Sequence, residues 1–141
     1  MMLLKLKPDS DIPIYMQIRE QIIKGIADGE LSSGEQLPPL RQLAADLGVN
    51  LHTVNKAYLI LQNEGYVNVQ GRKGAIIAAP PSYNKAYTQT LSIEIEKLFT
   101  EARSRGVPQD VLRDITDTLL AHYDAKPDTE TKSSNGIQFR D

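Results

Sequence analysis

Between Leu37 and Tyr58 the apolar positions fall into two short helical periods. Leu40, Leu43, Ala44 and Leu47 share one face of a first helix, and Val54, Ala57, Tyr58 and Leu61 share one face of a second. Pro38 and Pro39 suit a first helical turn. Gly48 ends the first helix with a left-handed turn, Val49 plugs the corner, and Asn50 caps the second. Ala44 supplies the small side chain that two closely crossing helices need. The pattern predicts a helix-turn-helix that leaves Asn50, Leu51, His52, Asn55 and Lys56 pointing outward. The competing reading is an ordinary αα-corner, in which a glycine at the bend is common.

Other elements flank this unit. Ile14, Ile18, Ile22 and Ile26, with Tyr15 and Ile23, form a wide apolar stripe, predicting a core-facing helix over about residues 12–28. Asp11 and Pro13 suit its start and Gly29 its end. Residues 1–9 form a short arm whose Leu4 and Leu6 either cover the domain or are disordered. Leu31 to Gly34 reads as a turn, and Glu35–Leu37 as a short strand. After Gly65, Tyr66–Gln70 alternates like a strand and Ala75–Ala79 returns, with Gly71, Arg72, Lys73 and Gly74 as the turn between them. A helix-turn-helix followed by a basic-tipped hairpin is a winged helix. The bland account of Arg72 and Lys73 is a solvated turn; beside the outward polar helix, phosphate and minor-groove contact is the better account.

Pro80 and Pro81 mark a boundary. With Ser82 as cap, Tyr83, Tyr87, Leu91, Ile95, Leu98 and Ala102 form one seam on a helix of about residues 82–105. Gly106, Val107 and Pro108 break it, and Val111, Leu112, Ile115, Leu119 and Tyr123 stripe a helix of about 108–123. Plain packing accounts for Tyr83 and Tyr87 better than ligand stacking does. Residues 125–141 have little to bury and read as a disordered tail.

The run from Ile12 through Ile77 resembles the winged-helix domain of GntR-type bacterial transcription regulators. The resemblance covers about residues 10–79. It is carried by Pro13-Ile14-Tyr15, Gly29 and Gly34 ahead of Leu37-Pro38, Arg41-x-Leu43-Ala44, Thr53-Val54 and Glu64-Gly65-Tyr66. It implies that Arg41 reaches DNA, where periodicity alone shows an exposed arginine. It also implies a DNA face of Arg41, Asn50, Leu51, His52, Thr53, Asn55 and Lys56 with Gly71, Arg72, Lys73 and Gly74. Many members carry Arg where this chain has Leu51 and Asn55, so the base preference does not carry over. The short second half resembles the YtrA-like group, whose C-terminal part is a helical dimerisation module.

The chain has 141 residues and no cysteine, which excludes disulfides and thiolate metal sites. His52 and His122 lie far apart in sequence, so neither a metal nor a cofactor is expected. No apolar run approaches the ~20 residues of a membrane span, and no signal peptide is evident; a cytoplasmic protein without membrane association is expected. Net charge is −2. Residues 1–79 carry 8 cationic and 8 anionic side chains, while 80–141 carry 8 and 10. Local potential matters more than this balance, but it argues for modest non-specific affinity.

Two helices alone bury too little to stand alone, and they can hardly enclose the ~300–1,000 Å³ of a ligand pocket. An effector is therefore not expected, and dimerisation is the default use of Tyr83, Tyr87, Leu91, Ile95, Leu98, Leu112, Ile115 and Leu119. The expected architecture is mostly α with a small β-wing: a winged helix-turn-helix over 1–79, a helical dimerisation hairpin over 80–124, and a tail over 125–141. The expected function is a dimeric repressor on inverted-repeat double-stranded DNA. The alternative from another class is a winged helix that contacts a partner protein. No phosphate loop, nucleophile triad or carboxylate pair supports an enzyme.

Overall fold

The computed structural model describes residues 4–71, 74–79 and 83–124. In chain order these form α1 (Ile14–Ala27), β1 (Gln36–Leu37), α2 (Leu40–Leu47), α3 (Leu51–Asn63), β2 (Val67–Val69), β3 (Ala75–Ile77), α4 (Lys85–Ser104) and α5 (Gln109–Asp124). The expected Ser82 cap, the wing-tip Arg72 and Lys73, and the tail from residue 125 lie outside the described residues. The chain divides into two compact units, Met1–Pro81 and Ser82–Asp141.

In the first unit, α1, α2 and α3 enclose one core with the sheet. Ile18 and Ile22 from α1 meet Leu43 and Ala44 from α2, Val54, Ala57, Tyr58 and Leu61 from α3, and Val67, Ala75 and Ile77 from the strands. Each buried side chain of this size contributes roughly 1.5–3 kcal/mol. The sheet is antiparallel with order β1-β3-β2. Gln36 pairs with Ile76 and Leu37 with Ala75, so the short strand before α2 lies against the wing.

α1 begins at Ile14, two residues later than its stripe suggests. Ile12 precedes a proline, whose ring disfavours helical backbone at the residue before it. The Ile12 N–H instead donates to Ser10 Oγ at 3.1 Å, and its carbonyl accepts from Gln17 Nε2 at 2.8 Å. Pro13 occupies the cap position without a side-chain cap, so Asp11 does not serve there.

The N-terminal arm is held in place by two glutamines four residues apart on α1. Gln17 accepts from the Lys7 N–H and donates to the Lys7 carbonyl, at 2.8 and 3.0 Å. Gln21 does the same for Lys5, at 2.8 and 2.6 Å. The strand-like alternation turns Leu4 and Leu6 onto the core.

In the second unit, α4 starts at Lys85. Its cap is Asn84, whose Oδ1 accepts from the Tyr87 N–H at 2.9 Å. Tyr83 therefore precedes the helix, and the expected seam begins at Tyr87. Gly106, at φ +85°, closes α4 and lets the chain turn into α5. Neither helix buries a residue, and the two touch sparsely. Among the described residues from Lys85 onward, only Ala102, Val107, Leu112 and Thr116 are half-buried. The apolar seam stays open: Leu98 is 68% exposed and Leu119 is 63% exposed. Among the described residues, no helix is long and apolar enough to cross a membrane.

Candidate nucleic-acid interface

The corner between α2 and α3 sets the direction of the outward helix. Gly48 adopts φ +69°, a left-handed conformation that costs a residue without Cβ little. The Val49 N–H donates to the Ala44 carbonyl at 3.0 Å, and its side chain packs on the core. Asn50 then caps α3, its Oδ1 accepting from the His52 N–H at 2.7 Å. The expected helix-turn-helix is formed.

Three further contacts fix α3 against its surroundings. The Tyr58 hydroxyl donates to the Pro38 carbonyl at 2.8 Å, tying α3 to the start of α2. Gln62 Oε1 accepts from the Val69 N–H at 2.8 Å, tying α3 to the wing. Arg19 on α1 makes a two-pronged pair with Glu64, at 2.7 and 2.9 Å, where α3 ends. The Glu64 carboxylate raises the Arg19 guanidinium above its ordinary value, chiefly through that hydrogen bond.

α3 presents His52 and Lys56 as exposed side chains, with Asn55, Thr53 and Leu51 half-buried. Leu51 was expected to point outward; part of its side chain packs on the core instead. Lys56 is exposed but not loose. Its Nζ lies 4.0 Å over the Tyr15 ring of α1, an arrangement sequence spacing did not reveal. Leu59 is a further exposed apolar residue on α3 that the pattern did not single out. Arg41 is exposed on α2 and has no hydrogen-bond or ion-pair partner among the described residues.

At the wing, Gly71 is exposed at φ +59°. Gly74 was expected on the DNA face but is buried. A Cβ there would stand 2.7 Å from the carbonyl oxygens of Leu37 and Pro38, so the wing root presses directly on the backbone that leads into α2. Glycine is needed here for close approach as well as for its φ of +91°. The seam residues Tyr87, Leu91, Ile95, Leu98, Leu112, Ile115 and Leu119 lie in the second unit, described separately above.

A family model described as bacterial regulatory proteins of the gntR family matches residues 14–77. The solved structure of YtrA from Sulfolobus acidocaldarius, titled a GntR-family transcription factor, is 39% identical, with a TM-score of 0.59 over 69% of this chain and 97% of that one. The chain belongs to the GntR family. Its likeness to YtrA-type members of that family extends beyond the winged helix. The transcriptional repressor YtrA of Bacillus subtilis is 28% identical over 114 residues, covering 79% of this chain and 88% of YtrA. The regulator Rv1152 of Mycobacterium tuberculosis is 41% identical over 66 residues, covering 47% of this chain and 54% of Rv1152. Against other curated relatives this GntR chain spans about a quarter of their length, 24% and 26% in two cases. The family is one of transcription regulators rather than enzymes.

Proposed function

We propose that this chain is a DNA-binding transcription regulator that acts as a dimer on an inverted-repeat operator, and that it represses. The observation that carries the reading is the outward face of α3, held at three points and flanked by Arg41, which is exposed and without a partner among the described residues. In a helix-turn-helix the second helix enters the major groove with its N-terminal residues at the base edges. Leu51, His52, Thr53 and Asn55 occupy those positions, with Asn50 at the cap. Lys56, and Arg72 and Lys73 at the wing tip, supply phosphate contacts. Repression is carried over from the YtrA likeness.

Dimerisation is supported by the open seam of α4 and α5. An apolar face of that length in water favours a partner, and a second copy gives the two-fold symmetry that an inverted repeat requires. Such a regulator works on chromosomal DNA, which places it in the cytoplasm of a bacterial cell. A mobility-shift titration of the full chain on duplex DNA at several salt concentrations tests the reading. Binding that weakens steeply with salt is expected. Salt-independent binding, or none, would favour the protein-interaction alternative.

A further inference from the structure

We infer that Asn55 reads an adenine and that Leu51 covers a thymine methyl, so the half-site under α3 is specified through A·T pairs rather than through guanine. The inference rests on the DNA-binding reading above. Guanine is read in the major groove by cationic side chains that donate to both O6 and N7, whereas an asparagine amide matches the N6 donor and N7 acceptor of adenine. α3 contains a single cation, Lys56. Its ammonium rests 4.0 Å over the Tyr15 ring, which draws it towards α1 and suits it to a phosphate rather than a base edge.

The neutral groups on the same face have different work available to them. Asn50 spends its Oδ1 on the helix cap. Asn55 spends nothing: among the described residues its amide has no hydrogen-bond partner, so its donor and acceptor are both available. Its partial burial restricts the rotamers it can adopt, which favours a two-point contact. Leu51 stands four residues earlier, one turn towards the N-terminus of α3, and therefore beside Asn55 on the helix surface. The part of Leu51 not packed on the core is purely apolar, the chemistry that a thymine methyl accepts. His52, the remaining exposed ring, offers one bond from a ring nitrogen rather than a matched pair.

The test is selection of duplexes from a random pool by the full chain. Binding is then measured for the wild type, Asn55→Ala and Lys56→Ala on the enriched site and its single-pair variants. The expected motif contains an A·T pair whose replacement by G·C weakens wild-type binding roughly tenfold or more. Asn55→Ala should bind the two duplexes almost equally. Lys56→Ala should weaken both alike and keep their ratio. Dependence on Asn55 that falls on a G·C pair, or a ratio that Asn55→Ala leaves unchanged, overturns the base assignment and leaves DNA binding standing. Failure to enrich any sequence overturns the DNA-binding reading and the base assignment with it.

Discussion

At Tyr58 a single side chain joins the core to the backbone that leads into α2. Its ring is fully buried and its hydroxyl donates to the Pro38 carbonyl. Burial pushes the phenol well above its ordinary value near 10. Above pH of about 10 the unfolded chain releases this proton while the folded chain keeps it, so this contribution to stability is lost as pH rises further. Tyr58→Phe should therefore flatten the loss of stability between about pH 9 and 11. At neutral pH it should cost about 0.5–1.5 kcal/mol, because the Pro38 carbonyl loses its donor. Urea unfolding at the two pH values checks both effects; an unchanged alkaline slope would assign the loss to other groups. Gly74 is the second such residue. Gly74→Ala puts a methyl into the Leu37 and Pro38 carbonyls and strains a φ of +91°. A loss of about 1–3 kcal/mol is expected from the strained backbone, read as a lower urea midpoint. A neutral result would mean that the wing root can shift freely.

Among the elements, α2 and α3 carry the corner while α1 steadies it. The Arg19–Glu64 pair joins α1 to the end of α3 but is partly solvated, so it is worth at most about 1 kcal/mol. The apolar contacts between α1 and α3 do more. Arg41 has no hydrogen-bond or ion-pair partner among the described residues, so Arg41→Ala should leave the melting temperature nearly unchanged. If its guanidinium meets a base edge, operator binding should weaken by about 1–3 kcal/mol. A large fall in melting temperature with unaltered affinity would give Arg41 a structural role instead. The limits of α1, α2 and α3 were legible to within two residues because each is bounded by a proline, a glycine or a capping asparagine. α4 was read three residues too long at its start. Ser82 and Asn84 are both good caps by type, and only the backbone path shows that Asn84 Oδ1 meets the Tyr87 N–H.

For the whole molecule, the question is what covers the seam of the second unit. Ile95 is exposed within the chain, so a charge there costs the single chain little. If the seam is the dimer interface, Ile95→Asp should yield folded monomers that bind a half-site weakly and lose preference for the inverted repeat. Each apolar side chain withdrawn from a shared interface forfeits roughly 1.5–3 kcal/mol. Sedimentation of the variant beside the wild type checks this, and a dimer that survives the substitution would move the interface elsewhere. The even charge balance of residues 1–79 adds a condition. With little net attraction to the backbone, affinity for the operator over other DNA has to come from base contacts, those of α3 and any that Arg41 makes.

Taken by itself, the sequence determined the periods of α1, α2 and α3, the bend at Gly48, the Asn50 cap and the strand-turn-strand of the wing. These are local facts, written in apolar spacing and in residue types with restricted or permissive backbones. Tertiary structure alone decided which distant groups meet. Lys56 rests on Tyr15, Gln17 and Gln21 grip the N-terminal arm, and Gly74 closes on Leu37 and Pro38. Each of these contacts joins segments at least ten residues apart, brought together by a packed core rather than by chain spacing. The open state of the α4–α5 seam belongs to the same class. Periodicity identified the apolar residues on each helix, but whether the two stripes cover one another depends on the direction in which α5 leaves the turn at Gly106.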